Sequence, residues 1–454
     1  MSATEPKSRR FRPYPAYKDS GIEWLGRIPT HWTVKRLKTL ASVRLSNVDK
    51  KSLEGEQPVR LCNYTDVYYN ERITSDLEFM HATATGEQVR TFTLRAGDVL
   101  VTKDSESWTD IAVPAVVKEN LEGVLCGYHL AHIRPATYCH GPFLARAFSA
   151  LGTRDQFQIA ASGITRFGLG GDAIRGGLFA MPPEPEQRTI AAFLDRETAK
   201  IDALVAKKER LIELLQERRT ALITRAVTGG LDPGAPTRDS GIEWLDEIPA
   251  RWAILPLKRL WRRCDYGLSE SLAGTGAVRV LTMAHIQDGE VVLPKQGSMD
   301  DVPAALLLDQ DDLLFNRTNS RDLVGKVGLF RGSREEHVSF ASYLVRLTAN
   351  RRAWPAYLNL LLNCRLVLAQ ARSMALLSVN QANLNPSRYG EIRVPLPDLD
   401  EQVYIVRWVH DRVTSLRHAA ERVRRAIDLL QELRAALISA AVTGKIDVRG
   451  DVSA

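Results

Sequence analysis

Two polar segments carry side chains that can read the edges of nucleic-acid bases, and each segment follows an apolar run. Residues 316–321 read Asn-Arg-Thr-Asn-Ser-Arg, and residues 102–107 read Thr-Lys-Asp-Ser-Glu-Ser. Arginine can donate two hydrogen bonds to guanine, and asparagine can pair with the donor and the acceptor of adenine. On composition alone a solvated turn is the favoured explanation, because Asn and Ser are also common turn residues.

Two shorter pairs, Thr165-Arg166 and Asn380-Gln381, have a similar polar character. The predicted DNA contacts are therefore Lys103, Arg166, Asn316, Arg317, Thr318, Asn319, Arg321 and Asn380. The segment around Lys103 also contains acids, and Asp104 and Glu106 would repel phosphate. The role of that segment in DNA binding is therefore in doubt.

One cluster has the residue types of a metal site, namely Cys126, His129, His132, Cys139 and His140. On a helix, two histidines three residues apart would share a face. Residues 124–133 instead have the composition of a strand, which would place the two histidines on opposite faces. The chain has no Cys-x-x-Cys pair to support a zinc site, so we predict no metal here.

The motifs of several enzyme classes are missing. The chain has no P-loop sequence, and residues 168–173 fail the dinucleotide pattern because Ala173 stands where the last glycine is needed. The Asn/Asp-Pro-Pro-aromatic motif expected of a methyltransferase acting on exocyclic amines is also missing. We therefore predict no catalytic or cofactor-binding residue in this chain. The alternative is a stand-alone nuclease or methyltransferase whose motifs are not recognised.

The elements that must position these residues come in two copies. Asp-Ser-Gly-Ile-Glu-Trp-Leu begins at Asp19 and again at Asp239, and both copies continue into an Ile-Pro pair and a tryptophan. Pro-containing starts with Glu-Gln precede two long helical patterns, and Ala-Val-Thr-Gly ends both of them. The bodies between these blocks hardly resemble each other, apart from a weak match of Asp98 and Leu100 to Asp312 and Leu314.

The first helical pattern extends from about Glu186 to Val227 and contains no proline. Its three-four spacing predicts a coiled-coil seam, and an antiparallel pairing of the two helices would bury both apolar stripes. The alternative is that each helix packs on its own globular domain. The predicted seam positions are 201, 204, 208, 211, 215, 218 and 222 in the first helix and 416, 419, 423, 426, 430, 433 and 437 in the second.

These patterns predict an α+β fold class, with two pseudo-symmetric bodies separated by a long antiparallel two-helix coiled coil. The predicted boundaries are an N-terminal shared segment at 1–32, a first body at 33–181, a central shared region with a long helix at 182–252, a second body at 253–396 and a C-terminal shared region with a long helix at 397–454.

The composition allows a polyanionic partner without requiring one. The 454 residues include 61 Lys and Arg against 54 Asp and Glu, which gives a formal charge of +7. Five scattered cysteines indicate reduced thiols. No apolar run is long enough for a membrane span, and the first residues lack the apolar core of a secretory signal. We therefore expect a cytoplasmic protein with no membrane contact.

This ordered, duplicated set of motifs resembles the specificity (S) subunits of type I restriction–modification systems, from about Tyr17 to Asp447. The resemblance implies that the bodies at 33–181 and 253–396 are target-recognition domains, each reading one half-site of double-stranded DNA. It also implies two methyltransferase (modification) subunits and restriction (translocase–nuclease) subunits as partners. S-adenosylmethionine, ATP and magnesium would then be held by those partners, with no cofactor in this chain.

The duplication and the paired helices lead to the hypothesis of a molecular ruler. The helices would fix the distance and the rotation between two recognition domains, so that the target is bipartite with a spacer of constant length. A scaffold that binds partners but no DNA is a third possibility, which salt-dependent and sequence-selective DNA binding would exclude.

Overall fold

The structure, a computed structural model, describes residues 11–269, 275–378 and 381–452. The chain divides into two compact units. Unit 1 comprises Met1–Lys208 with Arg425–Ala454, and unit 2 comprises Glu209–Arg424. Each unit therefore contains an α+β body together with a part of each long helix. This confirms the predicted α+β class.

Unit 1 is built around a five-stranded sheet of order β4-β13-β9-β11-β6 and a four-stranded sheet of order β7-β5-β12-β8. Its strands are β1 Tyr17–Asp19, β2 Arg27–Pro29, β3 Thr33–Arg36, β4 Ala41–Leu45, β5 Gln57–Cys62, β6 Arg72–Ile73, β7 Met80–Ala84, β8 Thr93–Leu94, β9 Val99–Thr102, β10 Asp104–Ser105, β11 Pro114–Val117, β12 Leu121–Cys126, β13 Leu130–Pro135, β14 Phe167–Gly168 and β15 Leu178–Met181. Its helices are α1 Leu37–Leu40, α2 Tyr64–Tyr69, α3 Gly86–Phe92, α4 Gly141–Ser149, α5 Leu151–Ala160, α6 Gly171–Gly176 and the first part of α7 Glu184–Gly229.

Unit 2 has a six-stranded sheet of order β19-β27-β23-β25-β22-β21 and a three-stranded sheet of order β24-β29-β28. Its strands are β16 Thr237–Ile242, β17 Leu245–Pro249, β18 Ala253–Pro256, β19 Trp261–Tyr266, β20 Arg279–Leu281, β21 Ile286–Gln287, β22 Glu290–Val291, β23 Leu313–Asn316, β24 Thr318–Asn319, β25 Val327–Leu329, β26 Val338–Phe340, β27 Leu344–Ala349, β28 Leu376–Ser378, β29 Gln381–Asn383 and β30 Arg393–Leu396. Its helices are the second part of α7, α8 Pro355–Leu362, α9 Arg365–Ser373, α10 Pro386–Gly390 and the first part of α11 Leu399–Val442.

The two bodies share a strand order that their sequences do not reveal. The run β4-β13-β9-β11 in unit 1 corresponds to β19-β27-β23-β25 in unit 2. Alternate side chains of the central strand enter different cores in both units, as the two-residue period of a strand requires. Val99 and Val101 pack in one core while Leu100 packs in another, and β23 divides its side chains in the same way.

The weak sequence match of Asp98 to Asp312 corresponds to an equivalent position in the two folds. Asp98 precedes β9 and accepts a hydrogen bond from the Arg95 amide at 2.9 Å, while Asp312 precedes β23 and accepts one from the Asp309 amide at the same distance. Both carboxylates therefore close the turn that enters the central strand.

Residues of the repeated sequence blocks connect the start of each long helix to the entry segment of the same copy. Trp32 donates its indole N–H to Glu186 at 3.1 Å, and Trp252 donates to Glu401 at 2.8 Å. The neighbouring Gln187 side chain accepts from the backbone of His140 at 2.7 Å. These are the tryptophan and the Glu-Gln pair of the repeated sequence blocks, so the repetition preserves one contact between entry segment and helix.

Both long helices are confirmed, and the first is slightly longer than predicted. Helix α7 has 46 residues and α11 has 44. Pro185 and the acidic Glu184 and Glu186 occupy the first turn of α7, where amide hydrogens lack partners and the helix dipole favours negative charge.

Within each unit the two helices run antiparallel. In unit 1 the start of α7, at Ile190, shares a core with the end of α11, at Ala441. Further along the pair, Arg434 donates to Asp202 at 2.8 Å. In unit 2 the end of α7 packs in one core with the start of α11, so each unit is braced by opposite ends of the same two helices.

The predicted seam was wrong at several positions. Leu204 and Leu211 are 43% exposed and Leu433 is 54% exposed. The positions after them, Val205, Ile212 and Arg434, are less exposed and take their place. Residues three and four positions further along a helix lie on the same face. The three-four pattern therefore fits two adjacent positions almost equally, and only tertiary packing selects between them.

Two local predictions also need correction. The helical pattern at 356–371 is interrupted between α8 and α9. The side chain of Asn363 at the break bonds the backbone of Val327 as donor and acceptor. Residues 124–133 are not one strand, because β12 ends at Cys126 and β13 begins at Leu130.

Candidate nucleic-acid interface

In unit 2, strand pairing brings together the two polar segments predicted from the sequence. Strand β24 pairs antiparallel with β29, with Thr318 opposite Asn383 and Asn319 opposite Ala382. The backbone of Arg317 is fixed on both sides. Its N–H donates to the backbone carbonyl of Tyr343 at 3.0 Å, and its carbonyl accepts from the backbone N–H of Leu384 at 2.8 Å.

The Arg317 side chain is held in one orientation by groups from three other segments. Its guanidinium lies over the Tyr266 ring at 5.2 Å from the centroid. It donates to the Asn383 side chain at 3.1 Å and to the Ser342 carbonyl at 3.3 Å. Its Nε has no hydrogen-bond partner among the residues that the structure describes. A guanidinium oriented by an aromatic face keeps a planar donor pattern suited to a base edge or a phosphate.

The other candidates in this segment differ in accessibility. Asn316 is 2% exposed and Thr318 is 6% exposed, so both side chains lie inside unit 2. Asn319 is half-buried and accepts a hydrogen bond from the Ser320 amide, while Arg321 is exposed. Asn380 lies outside the described residues.

Unit 1 contains the same backbone arrangement around Lys103. Strand β10 pairs antiparallel with β14, with Asp104 opposite Gly168. The backbone N–H of Lys103 donates to the backbone carbonyl of His129 at 3.0 Å. The Lys103 carbonyl accepts from the backbone N–H of Leu169 at 2.8 Å. Lys103 therefore occupies the position that Arg317 has in unit 2, and the pairing also places the exposed Arg166 beside this segment.

The charge around Lys103 is largely compensated. The ammonium lies 4.6 Å from the centroid of the Tyr128 ring and donates to Asp104 at 2.6 Å, and the side chain is only 10% exposed. Burial raises the pKa of the Asp104 carboxyl, but hydrogen bonds from Lys103 and His129 outweigh it and leave the pKa below its ordinary value. Asp104 is therefore ionised at neutral pH and offsets the lysine.

Arg166 is the accessible cation at this position in unit 1. One of its terminal nitrogens lies 3.1 Å from Nδ1 of His129, whose ring is 3.1 Å from Asp104. The objection to this segment came from Asp104 and Glu106. The structure puts the Asp104 carboxylate on Lys103 and His129, while Glu106 and Arg166 are both exposed.

The tyrosines at both sites were not predicted from the sequence. Tyr128 is 48% exposed, Tyr266 is 50% exposed and Tyr343 is 44% exposed. Tyr266 ends β19 and Tyr343 precedes β27, far along the chain from residues 316–321. No spacing pattern in the sequence links them, because strand pairing alone makes them neighbours.

Two of the histidines considered for a metal site, His129 and His132, lie beside carboxylates. His132 is 2% exposed and lies 2.8 Å from the Asp98 carboxylate. Arg134 binds the same carboxylate with two hydrogen bonds of 2.8 Å. Within residues 11–269, 275–378 and 381–452, no group of three or more His, Cys, Asp or Glu side chains is arranged to hold a metal ion.

The helices in the described part of the chain include none that combines the length and apolar character of a membrane span.

Curated proteins similar to this chain are specificity subunits. The putative MjaX specificity subunit of Methanocaldococcus jannaschii is 27% identical over 175 residues, covering 37% of this chain and 40% of its own. The EcoBI subunit of Escherichia coli is 24% identical over 63% of this chain and 62% of its own. The matches thus span less than two thirds of these two relatives. The EcoKI subunit of E. coli K12 is 21% identical over 93% of this chain and 90% of its own. No protein-family model matches the chain.

Solved structures share the fold. A chain from a study of complex assembly and conformational transition in the type I R-M system aligns with a TM-score of 0.70 at 16% identity, covering 92% of this chain and 99% of that one. The HsdS subunit of Thermoanaerobacter tengcongensis aligns with a TM-score of 0.52 at 16% identity, covering 92% and 98%. In sequence and in fold this chain is therefore similar to the specificity subunits of type I restriction enzymes, which confirms the resemblance of its motifs.

Proposed function

We propose that this chain is the DNA sequence-recognition subunit of a type I restriction–modification complex. Each unit supplies one reading site, centred on Arg317 in unit 2 and on Lys103 with Arg166 in unit 1. The target is bipartite, and the continuous helices keep its two half-sites at a constant spacing. The similarity to curated specificity subunits supports the DNA-recognition role.

One observation carries the proposal most directly. Two bodies with little sequence in common place a cation at the same point of the same strand order, with the backbone bonded in the same way and a tyrosine ring beneath the charge. A purely structural turn would not need a cation over an exposed ring in both copies. The differing neighbours, Asp104 in one site and Asn383 in the other, suit two different half-sites.

The chain itself performs no chemistry in this proposal. Two methyltransferase subunits bind it and supply S-adenosylmethionine, and restriction subunits supply ATP and magnesium chemistry. Exposed Lys and Arg side chains contribute affinity through phosphates, while Arg317 and its neighbours contribute choice through base edges.

The experiment is methylation-sensitive sequencing of DNA from cells that express the chain with methyltransferase and restriction subunits. We expect one bipartite modified motif with a fixed spacer. The purified complex should bind that motif over unrelated DNA, with an affinity that falls as salt rises. A modified or cut DNA product from the chain alone would contradict the proposal and favour the stand-alone enzyme.

A further inference from the structure

In unit 1, an ionic network fills the space between the body and the two long helices. Arg146, whose side chain is 8% exposed, donates to Glu71 at 2.7 Å and to Asp195 at 2.9 Å. Arg434 of α11 lies 2.5 Å from the Glu71 carboxylate and 2.8 Å from the Asp202 carboxylate of α7. The two arginines are therefore matched by carboxylates of the same unit.

The corresponding place in unit 2 has other residues at the positions of Asp195 and Asp202. Counting from the equivalent pairs Glu186-Gln187 and Glu401-Gln402 places His410 where unit 1 has Asp195, and Arg417 where it has Asp202. The same count places Arg219 at the position of Arg434. Helix α4 begins one residue after the His140 amide that donates to Gln187, and α8 begins one residue after the Trp354 amide that donates to Gln402. Counted from these two amides, Leu360 of α8 corresponds to Arg146 of α4.

This place in unit 2 is an open cleft of about 520 Å³. Arg219, Leu360, His410 and Arg417 line it together with apolar side chains of α11 such as Val409. The Nε of Arg219 is buried without a hydrogen bond to any residue whose position the structure describes. A partly buried guanidinium is stabilised by an added acceptor, and the cleft has room for one beside the Arg219 side chain that lines it.

The charges facing the cleft favour a single carboxylate over a phosphate. Its arginines are Arg219, Arg331, Arg417 and Arg424, and its acids are Asp288, Glu290 and Glu421. Arg331 is already paired with Glu290. Three carboxylates would repel the higher charge of a phosphate more strongly than that of one acidic side chain, and the apolar wall needs a partner with apolar groups next to its charge.

We propose that this cleft binds a segment of a partner protein that presents one Asp or Glu side chain between apolar residues. The inserted carboxylate pairs with Arg219 and Arg417, as Glu71 and Asp202 pair with Arg434 in unit 1. Because unit 1 fills the equivalent place with its own side chains, each chain accepts one such segment. This inference rests on the proposed function in one respect, because it takes the partner to be a subunit of the assembled complex.

A photo-crosslinking residue at Leu360 tests the occupant directly. The probe is the complex assembled from this chain with purified methyltransferase and restriction subunits. We expect a crosslink from Leu360 to one protein subunit, at a peptide that contains Asp or Glu. The control places the same crosslinker at Tyr404, which is on α11, is 62% exposed and lies outside the cleft lining. Crosslinks from Leu360 only to its own chain, to a second copy, to DNA or to nothing would overturn the proposal.

A charge variant tests the role of the arginine. Arg219→Ala should weaken binding of the crosslinked subunit by at least about tenfold, as expected for a lost charge-assisted hydrogen bond. Arg210→Ala is the control, since Arg210 lies on the same helix, is exposed and pairs with Glu213. Equal affinity of the Arg219→Ala variant and the wild type would contradict the pairing.

DNA selectivity of the complex is measured separately. Loss of selectivity with the crosslink intact would count against the proposed function and leave the cleft assignment standing.

Discussion

Arg317 and Lys103 occupy one structural position in the two units but differ in the charge left for a ligand. Lys103 is paired with an ionised carboxylate 2.6 Å away. Among the described residues, the Arg317 guanidinium donates to a neutral amide and a carbonyl and rests on a tyrosine ring. The guanidinium of unit 2 therefore keeps its full charge, while unit 1 exposes its charge through Arg166.

The first prediction concerns Arg317. The Arg317→Ala variant should lose about 1–3 kcal/mol of binding free energy at one base position of the target if the guanidinium contacts a guanine edge. Fluorescence anisotropy of the complex on a set of single-base target variants measures this. Arg317→Lys is the matched control, because it keeps the charge and loses the planar fork. An equal loss on every DNA sequence would identify a phosphate contact instead, and no loss would return the segment to a structural turn.

Asp98 and Asp312 precede equivalent strands, but their pKa values are shifted in opposite directions. Burial raises the pKa of Asp98, but hydrogen bonds from Arg134 and His132 outweigh it and bring the pKa to about 2. Burial also raises the pKa of Asp312, and there it is the dominant effect. Asp98 therefore stabilises the fold above a pH of about 4, and this contribution of about 2–3 kcal/mol is lost as pH falls towards 2.

The second prediction compares these two carboxyls. Relative to wild type, Asp98→Asn should lower the free energy of unfolding at pH 6, and the deficit should shrink as pH falls from 4 to 2. Asp312 has a raised pKa, so its ionised form costs stability at high pH and that cost disappears below its folded pKa. Asp312→Asn should therefore show no such acid-dependent recovery. Urea unfolding at several pH values checks this, and parallel curves for the two variants would contradict it.

At the scale of elements, the repeated sequence blocks mark the joints between strands and long helices. The end of each helix meets the Pro and Trp of the entry segment in the same unit at a glycine with positive φ. Gly444 has φ +71° and Gly230 has φ +73°. In α7 this glycine stands one residue after the Ala-Val-Thr-Gly block, whereas in α11 it is the last residue of the block. The stopping conformation is thus repeated, but its place in the motif shifts by one.

The third prediction uses this pair of glycines. A Cβ on residue 444 would lie 2.4 Å from Cδ of Pro29, whereas one on residue 230 would lie 3.4 Å from the nearest atom. Both Gly→Ala variants should lose about 1–2 kcal/mol through the left-handed backbone. Gly444→Ala should lose about 1–3 kcal/mol more through the steric overlap. Thermal and urea unfolding measure the difference, and equal losses would show that Pro29 moves aside freely.

At the scale of the whole molecule, both long helices run without a break from one unit into the other. An α-helix rises about 1.5 Å per residue. The proposed constant spacer depends on this continuity.

The fourth prediction tests the spacer. Four residues inserted between Glu209 and Arg219 would lengthen α7 by about 6 Å and rotate the rest of the helix about its axis. We expect methylation of the original bipartite motif to be lost or to move to a motif with a different spacer, as read by methylation-sensitive sequencing. Alanines at the exposed positions 210, 213 and 217 form the control, because they change the same stretch at constant length. An unchanged motif after the insertion would rule out the ruler.

The duplication, the α+β class, both long helices and the two polar segments could be predicted from the amino-acid sequence. These features are local or repeated, so periodicity, helix-start chemistry and turn composition suffice to find them. The tryptophans and the Glu-Gln pairs were visible as motifs, although their hydrogen bonds to each other were not.

The folded structure was needed to show which residues meet. It buried Asn316, placed Tyr266 and Asn383 around Arg317, and chose Val205 over Leu204 on the inner side of α7. It also left a cleft in unit 2 where unit 1 is filled with paired charges. Strand order and helix rotation depend on packing between segments far apart in the chain, and one sequence carries no local signal for such contacts.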